Sequence, residues 1–171
     1  MSTGPEPISL ADDGVIPNSY LPLLVYRAAW PPERLGPETI ESTFAANGWA
    51  GTWRNGVYAY HHYHSISHEV LGVYSGRASV QFGGPSGRVL EVAAGDAVVI
   101  PAGVAHKRIS ATPDFRVVGA YPEGMPYDMC YGKPQERPEA DRRIAAVPLP
   151  AADPVSGPGG PLPGLWRGAD A

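Results

Sequence analysis

A cluster of side chains that can bind a metal ion lies between residues 56 and 76 of this 171-residue chain. Nine consecutive positions contain four histidines and one glutamate: His61, His62, His64, His68 and Glu69. Imidazole nitrogens and carboxylate oxygens are common ligands for divalent zinc, iron, manganese and nickel. The segment therefore predicts a site for one divalent metal ion.

Strand geometry selects among these side chains. In a strand over 57–64, His62 and His64 point to the same side, with α-carbons roughly 6.5–7 Å apart. Both imidazoles can then reach one ion. Glu69 follows a short turn-prone segment, so it can begin a returning strand and bring a carboxylate to the same ion. His61 alternates away from that face.

Two alternatives stay open for this segment. His61, His64 and His68 are spaced as on one face of a helix, although the tyrosines and flanking glycines favour a strand. His68 also competes with its neighbour Glu69 as a ligand, since strand alternation can direct only one of the two inward.

A second segment supplies a further ligand. Residues 95–96, Gly-Asp, predict a turn before a short apolar strand over 97–100. The Pro-Ala-Gly sequence of 101–103 predicts another turn just ahead of His106. Because that turn is rigid, we expect it to direct His106 toward the two histidines of the first segment.

The spacing of both segments resembles the two motifs of the cupin superfamily. The first motif is matched without a gap by Gly56, His62, His64, Glu69 and Gly76. The second motif is matched by Gly95, Pro101, Gly103 and His106, whereas Ser110 replaces its usual final asparagine. The resemblance implies that one divalent metal is bound inside a small jelly-roll barrel. The implied ligands are His62, His64, Glu69 and His106.

Four further stretches resemble a narrower group, the uncharacterised bacterial single-cupin proteins called YjlB-like. These stretches are 53–56, 61–64, 119–124 and 127–130. The closer resemblance implies no particular activity.

The elements that must position the ligands are short strands. Runs of β-branched and aromatic residues divided by glycines predict strands over 57–64, 69–75, 77–82, 88–93, 97–100, 105–110 and 115–121. Short strands at this spacing are typical of an all-β sandwich or barrel. Together with the resemblance, they predict an all-β cupin barrel, that is, a double-stranded β-helix or jelly roll.

Three regions are predicted along the chain. An N-terminal proline-rich arm over 1–36 packs on the barrel. The barrel, with a short helix near its start, occupies 37–132, and a Pro/Gly-rich C-terminal extension occupies 133–171. Early acidic residues, an apolar pair four apart and a following glycine place the first helix at 37–47. A second short helix is predicted over 139–146.

Composition and charge restrict the classes of partner that this protein could bind. The net charge is −4 and no Lys/Arg-rich run occurs, so the electrostatic footprint of a nucleic-acid binder is missing. The chain shows neither a secretory signal pattern nor an apolar run long enough to span a membrane. Cys130 is the only cysteine, which excludes an internal disulfide and a multi-thiolate zinc cluster. We predict a cytoplasmic protein that binds a small molecule, without nucleic-acid or membrane partners, and the resemblance implies a homodimer.

Three side chains are candidates for a substrate pocket. Tyr58 and Tyr60 share the inward parity of His62, and Arg108 shares that of His106. The tyrosines can equally fill the core, and the arginine can equally be solvated at the barrel mouth.

The types of the candidate ligands determine neither the identity of the metal nor the reaction. Iron(II), manganese(II), nickel(II) and zinc(II) all suit three histidines and a carboxylate. The resemblance implies dioxygenase, isomerase or epimerase chemistry, and the scarcity of basic residues near the site favours a metal-dependent dioxygenase over a sugar-phosphate isomerase. The alternatives are a non-catalytic cupin that binds a small molecule and a barrel that has lost its metal.

Overall fold

Two antiparallel β-sheets form the framework of the protein in the computed structural model, which describes residues 4–169. Within that range the strands are β1 (Glu6–Leu10), β2 (Ser19–Tyr26), β3 (Trp49–Asn55), β4 (Glu69–Ser75), β5 (Arg77–Phe82), β6 (Arg88–Ala93), β7 (Ala97–Ile100), β8 (His106–Ala111) and β9 (Arg116–Pro122). The larger sheet has the order β1-β2-β7-β4-β9-β3, and the smaller has the order β6-β5-β8. The predicted mainly-β fold is confirmed.

The helices in the described range are α1 (Pro37–Ala46), α2 (Glu139–Ala146) and α3 (Pro161–Gly168). None of them combines the length and the apolar character that crossing a membrane would require. The positions of α1 and α2 agree with the two helices that the sequence predicts.

The faces of the two sheets that meet are apolar. Leu71 and Val73 of β4 belong to one buried cluster with Val80 and Phe82 of β5. Alternate residues of a strand point to opposite faces, so each inward residue of β4 is followed by an outward one. The main core therefore lies between the sheets.

The outer face of the larger sheet is covered by helices. Val70 of β4 packs in a second cluster with Phe44 of α1 and Trp166 of α3. The helix α1 approaches β4 closely at Gly72, where an added Cβ would lie 2.7 Å from Cγ2 of Ile40. Because both of its faces are covered, the larger sheet is a rigid support for side chains on its inner face.

The predicted strand over 57–64 is wrong. This segment contains only two isolated bridges, His62 with His106 and Tyr63 with Cys130. Adjacent residues thus pair with different parts of the chain, so no ladder with one neighbouring strand can form. The backbone of Tyr63 exchanges hydrogen bonds of 2.8 and 2.9 Å with Cys130.

The N-terminal region contributes strands to the larger sheet. Within the predicted arm, β2 pairs with β7, with Leu24 opposite Val99 and Tyr26 opposite Ala97. Residues 1–3 and 170–171, the extreme ends of the two predicted arms, lie outside the described residues. The region boundaries at 36 and 132 remain predictions.

The C-terminal extension is bonded to the outer face of the larger sheet. The Trp166 indole donates to the Pro22 carbonyl at 3.0 Å. Asp153 is fully buried and accepts a hydrogen bond of 2.5 Å from the Tyr26 hydroxyl. Its carboxylate also accepts from backbone N–H groups of the extension itself, including that of Leu162. The sequence did not predict α3.

Candidate metal centre

Three buried histidines lie together in the structure. His62, His64 and His106 are 4, 5 and 2% exposed. One ring nitrogen of each lies within 4.8 Å of the corresponding atoms of the other two. The rings of His62 and His106 are closest, with centroids 4.0 Å apart. These three side chains could hold one metal ion.

Backbone hydrogen bonds bring the three histidines together. His62 and His106 bond to each other through their backbones, at 3.3 and 2.9 Å. The turn before β8 bonds to the third, since the Gly103 N–H donates to the His64 carbonyl at 2.8 Å. Gly103 has φ +97°, and a Cβ there would lie 2.3 Å from the Asn18 carbonyl oxygen, so the turn needs glycine.

Each of the three imidazoles contacts a backbone carbonyl through Nδ1. The contacts are His62 to Tyr60 at 3.1 Å, His64 to Asp128 at 2.6 Å and His106 to Val104 at 3.3 Å. A carbonyl can only accept, so Nδ1 carries the proton and Nε2 of the neutral ring keeps its lone pair. Histidines that bind metals are commonly oriented in this way.

Glu69 lies beside these lone pairs. It is 2% exposed and has the inward parity of Leu71 in β4. Its Oε1 lies 3.5 Å from Nε2 of His64 and 3.3 Å from Nε2 of His106. A buried carboxylate facing two lone pairs is repelled unless a proton or a metal cation lies between them. The donor set therefore fits a divalent cation.

Burial and mutual charges set the protonation of the site. Burial, helped by the proximity of His106, lowers the pKa of His62 to about 3. Burial opposes charge on His64 as well, but the Glu69 carboxylate overcomes it and raises the pKa of His64. Burial alone would raise the pKa of Glu69, yet His64 and His106 hold it well below its ordinary value. The carboxylate stays ionised, as a metal ligand must be.

A cavity of about 190 Å³ opens onto these four side chains. Trp53 and Tyr121 form part of its wall, and the indole N–H of Trp53 donates to the Tyr121 hydroxyl at 2.8 Å. Gly119 makes room for the indole, because a Cβ there would lie 2.2 Å from ring atoms of Trp53. Tyr127 stacks on Tyr121 with ring centroids 4.9 Å apart.

Of the predicted pocket residues, the structure brings only Tyr58 to this cavity. Tyr58 is 52% exposed, and its ring lies 5.3 Å from that of His62. Tyr60 stacks on Tyr58 with its ring 5.7 Å from that of His62, but it lines a separate surface depression. Arg108 lies in another surface groove with Arg116. Strand alternation did not predict the positions of Tyr60 and Arg108. The segment 57–64 is not a regular strand, and the cavity does not reach along β8 as far as Arg108.

His68, the alternative ligand, is turned away from the three histidines. Its ring lies 4.7 Å from that of Trp166, on the outer face of the larger sheet. The Ala102 N–H donates to its Nδ1 at 2.9 Å. Burial lowers the pKa of His68 to about 4, which keeps the ring neutral in the core. His68 directly precedes β4, and the two neighbouring side chains point to opposite sides, with Glu69 inward and His68 outward.

The aromatic wall was missed as a functional feature of the sequence. Trp53, Tyr121, Tyr127 and Met129 all line the cavity. They fall within three of the stretches that resemble the YjlB-like proteins, 53–56, 119–124 and 127–130. That resemblance was the available signal, but it assigned them no role.

Comparison with known proteins identifies relatives of this chain. A family profile described as "Cupin domain" matches residues 52–118. The uncharacterised protein YjlB of Bacillus subtilis (strain 168) is 48% identical over 156 residues, which are 91% of this chain and 92% of that protein.

Solved structures resemble this chain more distantly. Acireductone dioxygenase from Bacillus anthracis, with a cadmium ion in its active centre, is 16% identical with a TM-score of 0.43, over 64% of this chain and 83% of that one. Vicilin from Solanum lycopersicum (tomato) is 19% identical with a TM-score of 0.42, over 64% of this chain but only 29% of the vicilin. Likeness at these TM-scores carries no functional argument.

Proposed function

This chain belongs to the cupin superfamily and to the same family as YjlB, and on that basis we propose that it is a metal-dependent enzyme acting on a small molecule. One observation carries the proposal. Three buried imidazoles have their Nδ1 atoms hydrogen-bonded to carbonyls, while Nε2 of two of them faces a buried carboxylate. Such an arrangement presents lone pairs and a negative charge to a cation.

We propose that His62, His64, Glu69 and His106 hold one divalent ion, of iron, manganese, nickel or zinc. A bound ion of this kind supplies Lewis acidity toward a substrate oxygen, or a redox centre if it is iron or manganese. His68 is not included, because its ring packs against Trp166.

The residues of the chain bind and orient the substrate. Burial, with the nearby Glu69 carboxylate, raises the pKa of Tyr121 well above its ordinary value. Its hydroxyl therefore keeps its proton and can donate to a substrate oxygen. Trp53 fixes that hydroxyl through its indole N–H, and the aromatic wall excludes water from the substrate.

Among the cupin activities, dioxygenase chemistry is the one we propose. An isomerase for sugar phosphates needs cationic side chains that face the substrate. Arg108, the predicted candidate, lies in a different groove. The alternatives are a metal-dependent isomerase or epimerase acting on an unphosphorylated substrate and a non-catalytic binding cupin. The oxygen-consumption experiment below distinguishes a dioxygenase from both.

Metal analysis tests the ligand assignment. We expect about one divalent ion per chain after purification without chelator, and none in a His62→Ala/His64→Ala double variant, because two of four ligands are then missing. His61→Ala is the matched control, since His61 lies outside the group of three. Wild type carrying no more metal than the double variant would contradict the assignment.

Oxygen consumption tests the reaction. We expect the iron(II)-loaded protein to take up oxygen with at least one member of a panel of diols, thiols and keto acids. Absence of uptake and of any product by mass spectrometry would count against a dioxygenase.

The homodimer and the cytoplasmic location are further proposals. Both follow from the resemblance and the composition, and analytical ultracentrifugation of the purified chain tests the first. A sedimentation coefficient of a monomer at micromolar concentration would contradict it.

A further inference from the structure

Building on the proposed metal-dependent function, we infer that the substrate is a small, planar, largely apolar molecule carrying at most one negative charge. That charge lies at the metal, and phosphorylated sugars and dicarboxylates are rejected. The inference depends on the charges and shapes of the cavity wall.

The wall offers no free cation to a second anionic group. Among the described residues that line the cavity, Arg54 is the only arginine or lysine. Its guanidinium donates to both carboxylate oxygens of Glu41, at 2.9 and 2.8 Å, and lies 3.7 Å from Glu38. This bidentate pair raises the pKa of Arg54 and directs its charge toward α1. The charge of Arg54 is therefore already compensated by two carboxylates, so a phosphate at this position would gain little from it.

The net charge of the proposed metal ion and its ligands also disfavours a second anionic group on the substrate. A divalent ion with one carboxylate and three neutral imidazoles keeps a single net positive charge. One anionic oxygen of a substrate neutralises it. A second anionic group inside the cavity would face aromatic and apolar side chains without a free cationic partner, and burying an unpaired charge is costly.

The wall is flat and aromatic on two sides. Trp53 is fixed over Gly119 by its bond to Tyr121, and Tyr127 lies nearly parallel to Tyr121, at an interplanar angle of 18°. The buried side chain of Leu71 lines the same space. Aromatic faces favour offset stacking or edge contacts with another ring. A planar apolar body is therefore complementary to this wall.

The volume limits the size of the ligand. Cavities of about 150 Å³ can hold a benzene molecule. At about 190 Å³, this cavity can accept one substituted ring or a molecule of similar size. Tyr58 and Tyr127, both about half exposed, lie where the wall meets solvent.

Binding of two probes to the zinc-loaded protein tests the inference. Catechol is a planar diol that can bring one negative charge to a metal, and ribose 5-phosphate is a diol with a dianionic group. We expect isothermal titration calorimetry to show catechol binding at least tenfold more tightly than ribose 5-phosphate. Equal affinities, tighter binding of ribose 5-phosphate, or no binding of catechol would overturn the inference.

Two tyrosine variants locate the binding. Tyr127→Ala removes one aromatic face, so we expect catechol affinity to fall at least fivefold with unchanged zinc content. Tyr131→Ala is the matched control, because this exposed tyrosine lies outside the cavity, and we expect catechol affinity as in wild type. Equal catechol affinities in the two variants would also overturn the inference.

Measuring the zinc content distinguishes failure of the proposed function from failure of this inference alone. A wild-type protein that does not take up zinc or any other divalent ion contradicts the proposed function, and the inference falls with it. A protein that loads zinc but fails the probe comparison leaves the metal centre standing and rejects only the substrate class.

Discussion

Asp128 connects the metal centre to the C-terminal extension. Its carbonyl accepts from Nδ1 of His64, while its carboxylate accepts from the Ser65 N–H at 2.6 Å and from the Ser65 hydroxyl. Arg143 of α2 donates to the same hydroxyl at 2.7 Å. The orientation of one proposed ligand thus depends on residues that do not face the metal.

Replacing this carboxylate should weaken metal binding. In Asp128→Asn the amide loses the charge-assisted bonds to Ser65, so the carbonyl that orients His64 is held less firmly. We expect zinc affinity to fall about 10–100-fold. Competition with a chromophoric chelator measures it.

Glu123→Gln is the matched control, because Glu123 is an exposed carboxylate on the same segment. Equal zinc affinities in the two variants would show that Asp128 does not position His64.

The sequence predicted that several histidines come together, but it did not predict the role of the aromatic side chains beside them. His62 and His64 could be selected by local alternation, whereas His106 joins them through a long-range backbone bridge that only the motif spacing indicated. The aromatic wall could not be predicted, because Trp53 reaches Tyr121 only when β3 pairs with β9 and Gly119 leaves space for the indole.

At the scale of elements, two glycines in the adjacent strands β4 and β9 lie on opposite faces of the larger sheet, one beside α1 and one beside the candidate site. Gly119 of β9 faces Trp53 and the cavity, whereas Gly72 of β4 faces Ile40 and Phe44 of α1. A methyl group at either position meets atoms at less than 3 Å, but on opposite faces of one sheet.

Alanine at these two positions should therefore have different consequences. Gly72→Ala should lower the free energy of unfolding by about 1–3 kcal/mol through overpacking against α1, with catechol binding as in wild type. Gly119→Ala should displace Trp53 and weaken catechol binding at least fivefold. Urea unfolding and calorimetry measure the two effects.

Gly159→Ala is the control for both, since Gly159 lies outside the cavity and a Cβ there meets no atom within 4 Å. Catechol binding lost equally in Gly72→Ala and Gly119→Ala would contradict the separation.

Two errors of the sequence prediction, at α3 and at 57–64, arose because it relied on local residue propensities. Prolines within 161–168 read as breakers, yet Pro161 occupies the first turn of α3, where no backbone N–H is needed. The opposite error arose at 57–64, where strong strand propensity met no single partner strand. Propensity is local, whereas pairing is decided by the whole sheet.

At the scale of the whole molecule, an ion-pair cluster ties the two ends of the chain together. Arg137, just before α2, donates to both carboxylate oxygens of Asp12, between β1 and β2, at 2.8 and 2.6 Å. It also bonds to Asp141 at 2.9 and 2.6 Å. Hydrogen bonding to Arg137 lowers the pKa of Asp12 from 3.8 to about 2.

This cluster should make stability depend on pH in acid. The folded chain binds a proton on Asp12 less readily than the unfolded chain does, so the contribution is full above about pH 4 and is lost toward pH 2. We expect Arg137→Met to lower the free energy of unfolding by about 0.5–1 kcal/mol at pH 7, since the carboxylates of Asp12 and Asp141 are partly exposed and water weakens their ion pairs. Urea unfolding of both proteins at pH 7 and pH 3 measures the change.

The difference between wild type and Arg137→Met should shrink at pH 3. Arg142→Met is the control, because Arg142 is an exposed arginine paired only with Glu139 of its own helix. A difference for Arg137→Met that stays constant with pH would contradict the assigned coupling.

His68, directly before β4, and Glu69, its first residue, point to opposite sides, so the register of β4 decides whether an imidazole or a carboxylate faces the three histidines. A slip of β4 by one residue would exchange the carboxylate for a fourth imidazole, but it would also drive Leu71 and Val73 out of the core. The burial of these two apolar side chains thus fixes the register of β4 and keeps the Glu69 carboxylate beside the histidines.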